Sequence, residues 1–243
     1  MAHVDSAASI LTRAVSLDKS NRFTEAMICY QEGLQLLVDS VKSMETGAKK
    51  EALKQKIEEY MRRAEFIKRH IEKEKDLGKY HEQISIENNS TGHSYNSVVG
   101  RFLDSEMTTV RVEDPYIRNY NQCRNFLQFC ELLVKKCPNL KQINLVTGSD
   151  ARNVDDQKSW LNSLKHSLEN DHKIKLLIEY SATLHDREIT LGNGWVIKIG
   201  RGLDYFKPAD SKFAIGAIDY DLRHCHETTV DIFHSKNIKH SAG

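Results

Sequence analysis

A stripe of apolar residues between positions 53 and 71 constrains the fold of this chain more than any other feature. The stripe recurs at spacings of three and four residues and consists of Leu53, Ile57, Tyr60, Ala64, Ile67 and Ile71. This spacing is typical of a helix that packs lengthwise against neighbouring helices. Met61 lies just beside the stripe and, with Glu65 and Lys68, forms a second, partly apolar edge. That edge offers a surface on which another helix can lie.

Two more helical patterns precede this stripe. Asp5 and Ser6 are plausible N-caps for a short first helix whose apolar positions end at Leu17. A second apolar stripe runs from Phe23 to Val41 with the same spacing. The chain therefore begins with three predicted helices.

The three predicted helices are joined by short loops, the first at residues 18–21. Gly33 interrupts the second helix at a cost of about 1 kcal/mol relative to alanine, which predicts close approach of a neighbouring helix. The third helix ends in a charged extension that is expected to stop at Gly78. Residues 1–80 are therefore predicted to form an antiparallel three-helix bundle.

The remaining sequence predicts a different architecture. Residues 81–95 are polar and are interpreted as a linker, and residues 96–243 alternate strand and helix patterns. The predicted strands are 108–113, 142–146, 173–180, 187–191 and 195–199, and the predicted helices are 120–136 and 155–170. Of the strands, 173–180 is expected to be the most buried. The pattern predicts a multi-domain chain in which an all-α bundle is followed by an α/β domain.

A turn signal connects the last two predicted strands. The segment Gly192-Asn193-Gly194 lies between them, and Asn-Gly is expected to supply positive φ at both turn positions of a hairpin. We therefore expect these two strands to be antiparallel neighbours in the sheet.

Charge and hydropathy exclude several classes of function. The net charge is +1 and is evenly distributed, so bulk electrostatics cannot drive binding to nucleic acid or to a membrane. An anionic partner must be held by a local patch. With a mean hydropathy of -0.55, no long apolar run and no secretory signal pattern, the chain is expected to stay in the cytoplasm.

The cysteines and histidines do not predict a disulfide framework or a metal site. Cys123, Cys130 and Cys137 recur every seven residues on one predicted helix, which indicates a buried helical face with reduced thiols. The segment from His224 to Glu227, with Asp231 and His234 downstream, fits no standard zinc spacing. We expect no metal and no cofactor, and place Asp231 and His234 on a terminal helix.

Two segments of the predicted bundle resemble the MIT (microtubule-interacting and trafficking) domain. They are residues 21–30, Asn-Arg-Phe-Thr-Glu-Ala-Met-Ile-Cys-Tyr, and residues 59–65, Glu-Tyr-Met-Arg-Arg-Ala-Glu. The resemblance implies binding of C-terminal helices of ESCRT-III subunits in the groove between the second and third helices, without enzymatic activity. The partner-binding residues that it implies are Met61, Ala64, Glu65, Lys68, Leu34 and Val38.

Within that resemblance, Met61 would contact leucines of the ligand and Glu65 an arginine. The chemistry agrees, because a thioether surface is adaptable and a carboxylate fixes the position of an arginine. The alternative is that Met61 is an ordinary peripheral core residue and Glu65 a solvated helix charge. A tetratricopeptide repeat is disfavoured, because no 34-residue self-similarity follows.

A motif in the second half resembles the phospholipase D superfamily. That superfamily carries His-x-Lys-x4-Asp, and this chain has His185-x-Arg187-x4-Gly192, so the lysine is arginine and the aspartate is absent. We interpret the element as a degenerate phosphodiesterase site. The candidate phosphate-binding residues are His185, Arg187, Lys198, Arg201 and Lys207, with Lys212 beside them.

Three interpretations of the motif stay open. A remnant phosphate-binding surface is one, and a His185 with a purely structural role is another. The third is an active phosphodiesterase, which needs two histidines and therefore a symmetric dimer that brings two copies of His185 together.

Nearly the whole chain resembles proteins that pair an MIT domain with a degenerate phospholipase D-like domain. The segments that carry this resemblance are 113–118, 185–188, 199–206 and 225–233. It implies recruitment by ESCRT-III subunits, the charged multivesicular body proteins, and homodimerisation through the second domain. It also implies association with phosphoinositide-containing membrane, location at the late endosome membrane and the midbody, and a role in abscission during cytokinesis.

Overall fold

The chain folds into two compact units, residues 1–80 and residues 81–243. The computed structural model describes residues 2–44, 46–77, 80–149, 154–211 and 213–235. The first unit is all-α and the second is α/β, so the predicted fold class is confirmed.

The first unit is the predicted three-helix bundle. Its helices are α1 (Ala2–Lys19), α2 (Phe23–Lys42) and α3 (Ala48–Asp76). Helix α1 begins earlier than predicted, so Asp5 lies in its first turn and neither Asp5 nor Ser6 is an N-cap. The residues before Asp5 contain no helix breaker, and its carboxylate is favourable near the positive end of the helix dipole.

The apolar stripe of α3 forms part of the core of the bundle. Its buried members are Ile57, Ala64, Ile67 and Ile71. Two ring pairs join α2 to α3, since the Phe23 and His70 ring centres lie 4.9 Å apart and those of Tyr30 and Tyr60 lie 6.0 Å apart. Early residues of α2 thus meet late residues of α3, and the two helices run antiparallel.

Helix α1 approaches α2 closely at Gly33. A Cβ atom at this position would lie 2.6 Å from Cγ of Leu11. That distance is too short for a real contact, so only glycine lets the two helices pack this closely. The close approach predicted from the sequence is confirmed.

Helix α3 is long and highly charged. It contains 29 residues and ends at Asp76, whereas the predicted stop, Gly78, lies outside the described residues. Across the described parts of the chain, no helix combines the length and the apolarity needed to cross a bilayer.

The second unit is built on one mixed sheet. Its strands are β1 (His81–Ile86), β2 (Thr109–Glu113), β3 (Gln142–Thr147), β4 (Lys175–Tyr180), β5 (Glu188–Leu191), β6 (Trp195–Ile199) and β7 (Thr228–His234). The helices are α4 (Tyr95–Val98), α5 (Tyr120–Lys136) and α6 (Val154–His172). The strand order is β1-β7-β6-β5-β2-β3-β4. Strands β2, β3 and β4 are parallel and are connected by α5 and α6, while the other pairs are antiparallel.

The segment interpreted as a linker, residues 81–95, is not a linker over its first part. Residues 81–86 form strand β1, which pairs with β7 from His81 opposite Phe233 to Ile86 opposite Thr228. Strand β1 is polar apart from Ile84 and Ile86. Its hydrogen-bond partners are distant in sequence, so local pattern gave no sign of it.

The predicted terminal helix carrying Asp231 and His234 is also wrong, because both residues belong to β7. Val230 and Ile232 are fully buried while Asp231 faces outward. This alternation has the two-residue period of a strand. The spacing of three between Asp231 and His234 was a misleading helical signal.

Strand β4 is not the most buried strand. It lies at one edge of the sheet, where Leu177 and Tyr180 are exposed. Its apolar sequence resembles that of a central parallel strand, but its place in the sheet order leaves one side without a neighbouring strand.

The hairpin between β5 and β6 is confirmed, although its turn differs from the predicted one. The loop has three residues, and the Gly194 amide donates to the Leu191 carbonyl at 2.9 Å. Gly194 has a φ of +94°, whereas Asn193 is not among the residues with positive φ. This is the common three-residue hairpin loop, in which a turn is followed by one left-handed residue.

The cysteines are reduced and buried in the structure. All five, Cys29, Cys123, Cys130, Cys137 and Cys225, are free thiols. Burial raises the pKa of Cys123 to about 12 and those of Cys137 and Cys225 to about 11. The prediction of a buried thiol face on α5 is confirmed.

Candidate functional site

Helix α3 presents an exposed edge beside its buried stripe. Met61 is 47% exposed, and Glu65 and Lys68 follow it on the same side of the helix at spacings of four and three. Glu65 accepts a hydrogen bond from Arg69 at 3.4 Å, and this long, exposed ion pair contributes little to stability. The Glu65 carboxylate can therefore exchange this partner for another cation at small cost.

The neighbouring edge of α2 contributes Leu34 and Val38, which are both half-buried and lie one turn apart. Leu34 follows Tyr30 by one turn of α2, and Tyr30 pairs with Tyr60, the residue before Met61 on α3. Ala64, by contrast, is only 6% exposed and belongs to the bundle core. A ligand on this surface would therefore contact mainly the exposed Met61 side chain, with Ala64 lying deeper between the helices.

An ion pair on the other side of the buried stripe, where α3 meets α1, was missed by sequence reasoning. Arg63 donates from Nε and Nη2 to the two carboxylate oxygens of Asp18, each at 2.7 Å, and the Tyr30 hydroxyl donates to Asp18 at 3.2 Å. The Arg63 guanidinium holds the pKa of Asp18 below its ordinary value. Burial and the nearby Asp18 raise the pKa of Tyr30 to about 12.

This cluster joins all three helices of the bundle. The available signal was the position of Asp18 near the carboxyl end of α1, where a carboxylate is unfavourable unless a cation compensates it. Arg63 therefore has a structural role. The residues of this helix that are available to a partner are those of the exposed edge, Met61, Glu65 and Lys68.

In the second unit, Arg187 contacts the ring of an aromatic residue. Its guanidinium carbon lies 4.5 Å from the centre of the Tyr116 ring, and the guanidinium carbon of Arg118 lies 5.4 Å from the same ring. Arg187 donates from Nη1 to the Gly200 carbonyl, while its Nε has no hydrogen-bond partner among the described residues. Two arginines thus meet at one ring, and Arg118 is a candidate residue that the sequence motif did not include.

The Gly200-x-Gly202 segment has a structural explanation. Asp114 is 2% exposed and accepts hydrogen bonds from the amides of Tyr116 at 3.0 Å and Leu203 at 2.9 Å. Gly202 has a φ of +64°, and a Cβ there would lie 2.0 Å from Oδ2 of Asp114. Burial raises the pKa of Asp114. The glycine therefore accommodates a buried carboxyl group.

His185 lies apart from these contacts, in the loop between β4 and β5. Its side chain is exposed, and no described residue forms a hydrogen bond or an ion pair with it. The histidine that the motif singles out thus has no partner of the kind that orients a nucleophile or a general acid within one copy of the chain.

The candidate basic patch is divided. Lys198 pairs with Glu188 at 3.3 Å, whereas Lys207 donates to the Asn89 side chain at 2.6 Å. Burial lowers the pKa of His226, and the nearby cations Arg201 and Lys207 lower it further. Arg201 and Lys207 therefore lie near His226 together with Asp204, Lys198 is offset by Glu188, and Lys212 lies outside the described residues.

The acidic and histidine-rich segment near the carboxyl end does not assemble into a metal site. Nδ1 of His224 donates to the Asn89 carbonyl at 2.8 Å, and Asp231 pairs with His81 at 3.1 Å. Within the described ranges, no group of three or more histidine, cysteine, aspartate or glutamate side chains is placed to hold a metal ion.

Comparison with known proteins identifies both units. Residues 4–69 match the family model of the MIT (microtubule interacting and transport) domain. Residues 92–234 match the model described as phospholipase D-like domain at C-terminus of MIT. The first match covers most of the bundle, and the second covers the α/β unit from the residues before α4 to the end of β7.

Relatives among characterised proteins agree with these matches. The chain is 49% identical to mouse MIT domain-containing protein 1 over 234 residues, which are 96% of this chain and 94% of that protein. It is 30% identical to mouse sorting nexin-15 over 70 residues, which are 29% of this chain and 21% of that protein. The chain therefore belongs to the family of MIT domain-containing protein 1, in which an MIT domain precedes a phospholipase D-like domain.

Proposed function

We propose that this protein is a non-enzymatic adaptor between ESCRT-III subunits and membrane. Its MIT domain binds the C-terminal helical tails of those subunits, and its phospholipase D-like domain forms a homodimer that associates with phosphoinositide-containing membrane. The protein acts in abscission during cytokinesis, at the midbody and at the late endosome membrane. The observation that carries this proposal is the exposure of Met61 beside a largely buried helical stripe, in a bundle that matches the MIT family.

The chemistry of the exposed edge supports a helical ligand. Met61 offers a flexible thioether surface to apolar side chains of the ligand, and Leu34 and Val38 add half-buried apolar surface on α2. Glu65 supplies a carboxylate for an arginine of the ligand, and Lys68 supplies a cation for an acidic residue. An amphipathic helix with apolar residues three and four positions apart fits such a groove.

Dimerisation and membrane contact strengthen the tail interaction. Each contact alone is modest, because the groove is small and the net charge is only +1. When two MIT domains are joined through a dimer and held at a membrane, the second binding event takes place at a high effective concentration. A homodimer thus favours polymeric targets, in which several tails lie close together.

The geometry around the degenerate motif supports binding without catalysis. Arg187 replaces the lysine of the superfamily motif and keeps a cation of the kind that binds phosphate oxygens at that position. The motif aspartate is absent, Asp114 is buried under the Gly202 turn, and His185 has no orienting partner among the described residues. These features remove the roles that phosphodiester cleavage needs.

The tail-binding part is tested by titrating the full-length protein with a fluorescent C-terminal ESCRT-III peptide. Met61→Asp places a charge in the groove and is expected to weaken binding at least tenfold, about 1.4 kcal/mol or more. Phe66→Asp is the matched control, since Phe66 is 56% exposed on a different side of the same helix. Equal affinity of the Met61 variant and the wild type would reject the groove.

The non-enzymatic part is tested with a sensitive phosphodiesterase assay on a generic phosphodiester substrate. The wild type and His185→Ala are expected to give the same background signal. Turnover by the dimeric wild type that disappears in His185→Ala would instead establish a phosphodiesterase that uses two copies of His185.

A further inference from the structure

One loop of the phospholipase D-like domain exposes apolar side chains to an unusual degree. Residues 213–218 read Phe-Ala-Ile-Gly-Ala-Ile, without a single polar side chain. Phe213 is 100% exposed, Ile215 is 85% exposed and Ile218 is 79% exposed. Isolated exposed apolar residues are common, but three of them protruding from six consecutive positions form a patch that requires an explanation. We call residues 213–218 the apolar loop.

The apolar loop is held in place from beneath. Arg223 is 8% exposed and donates from Nε to the Gly216 carbonyl at 2.6 Å and from Nη2 to the Ala217 carbonyl at 2.5 Å. Arg124 donates to the same Ala217 carbonyl at 3.2 Å. These bonds satisfy the backbone on the protein side, so the loop presents its apolar side chains outward in a fixed arrangement.

A polar cleft of about 770 Å³ adjoins the apolar loop. Ala217 and Ile218 form part of its wall, and its cationic or protonatable lining residues are Arg124, Lys207, Arg223 and His226. Asp204 is the one carboxylate among the described lining residues, and both of its oxygens accept hydrogen bonds, from Gln122 at 3.0 Å and Asn125 at 2.9 Å. The cleft is therefore suited to an anion.

Two of the cations keep donors for such an anion. The Lys207 ammonium has three hydrogens and gives one hydrogen bond, to Asn89. Arg124 has five N–H hydrogens and gives one hydrogen bond, to Ala217. A phosphate group in the cleft can thus be bound without breaking the bonds that hold the apolar loop.

We propose that the apolar loop inserts into the interfacial region of a phospholipid bilayer while the adjoining cleft binds the headgroup phosphate of an anionic lipid. The inference rests on the proposed membrane association and identifies the surface that makes it. A bilayer is favoured over a protein partner because Phe213 and Ile215 protrude almost fully into solvent, while Ile218 lies where the apolar loop meets the cationic cleft. An apolar tip next to a cationic cleft also matches the polarity change across a membrane interface.

The first test is flotation of the full-length protein with phosphatidylcholine vesicles, with and without a minor fraction of phosphatidylinositol phosphate. The double variant Phe213→Asp, Ile218→Asp is expected to lower the partition coefficient about tenfold or more, since each substitution removes a large apolar contact. Phosphatidylinositol phosphate is expected to raise the partition coefficient of the wild type, and Lys207→Gln is expected to make this increase smaller. Leu77→Asp, a change at an exposed apolar residue of the MIT domain, is the matched control.

The second test measures how deeply the apolar loop inserts into the bilayer. A Phe213→Cys variant labelled with an environment-sensitive fluorophore is expected to shift to the blue on vesicles and to be quenched by lipids with brominated acyl chains. The native cysteines do not interfere, because all five are buried. A Leu77→Cys variant with the same label should show neither change.

The outcomes separate the two proposals. If the wild type floats and the loop variant floats equally well, the apolar loop is not the contact, although membrane association stands. If the wild type floats on neither vesicle, membrane association and this inference both fail. A loop variant that becomes monomeric in solution while retaining flotation would assign the loop to a second copy of the chain. Equal binding of soluble inositol phosphate by wild type and loop variant, without flotation, would overturn the role of lipid.

Discussion

Arg63 of α3 donates two parallel hydrogen bonds to Asp18 of α1, although the two residues are 45 positions apart in the chain. Asp18 is 9% exposed, and the Arg63 side chain is 44% exposed. In its degree of burial, the pair is therefore intermediate between a buried ion pair and a surface ion pair. Because the Tyr30 hydroxyl of α2 also donates to Asp18, all three helices depend on one carboxylate.

Replacing Arg63 with alanine should lower the free energy of unfolding of the MIT domain by about 1–2 kcal/mol, because a nearly buried carboxylate loses its main partner while solvent still screens part of the loss. The measurement is far-UV circular dichroism during urea unfolding of the full-length protein. Arg62→Ala is the control, since Arg62 is exposed and donates to the carbonyl of Glu58 at 3.3 Å rather than to a buried carboxylate. Equal stability of the two variants would show that the pair contributes nothing.

Acid should remove the contribution of the same pair. The folded-state pKa of Asp18 is lowered, so the stabilisation is fully present above the unfolded pKa of about 3.9 and is lost as the pH falls through the folded value. Asp18→Asn should therefore be less stable than the wild type at neutral pH and approach it in strong acid. A difference that grows as the pH falls would contradict this assignment.

Gly202→Ala should destabilise the phospholipase D-like domain by about 2–4 kcal/mol, because a methyl group at positive φ would also collide with the buried Asp114 carboxyl group. Tryptophan fluorescence reports on this unit alone, since the two tryptophans are Trp160 and Trp195. Gly92→Ala separates the cost of positive φ from the cost of the collision with Asp114.

Gly92 also has positive φ, +83°, but a Cβ there would meet no atom within 4 Å. Gly92→Ala should therefore cost only about 1 kcal/mol, the cost of the backbone conformation. If both alanine variants lost the same stability, contact with Asp114 would not be the reason for glycine at position 202.

The thiols should be unreactive in the native protein. All five cysteines are buried, and burial raises the pKa of Cys123 to about 12, so the thiolate that attacks an alkylating reagent is scarce and inaccessible. Mass spectrometry after brief treatment with iodoacetamide should show little modification without denaturant and five additions in denaturant. Rapid modification of the native chain would show that the α5 face opens readily.

Much of this architecture follows from short-range pattern. The stripe from Leu53 to Ile71 predicts the buried face of α3, the stripe from Phe23 predicts α2, and Gly192-Asn193-Gly194 predicts the β5–β6 hairpin. These signals lie within a few residues of one another, so the periods of helix and strand determine them directly. The exposed position of Met61 follows from the same pattern.

The errors have a common physical origin. Strand β1 is stabilised by hydrogen bonds to β7, and Asp231 faces outward only because Val230 and Ile232 enter the core beside β1 and β6. Strand β4 has an apolar sequence, yet its burial depends on whether another strand lies beside it. The periodicity of a segment does not show which distant strand will pair with it.

The sequence by itself determined the three helices of the bundle, the change from an all-α to an α/β region and the edge of α3 beside Met61, because each depends on neighbouring residues. Only the tertiary structure decided that Arg63 meets Asp18, that Gly202 accommodates Asp114 and that Arg118 joins Arg187 at Tyr116. It also decided that residues 213–218 point into solvent, since Arg223 holds their backbone from below. These arrangements join segments far apart in the chain, and only the folded path brings them together.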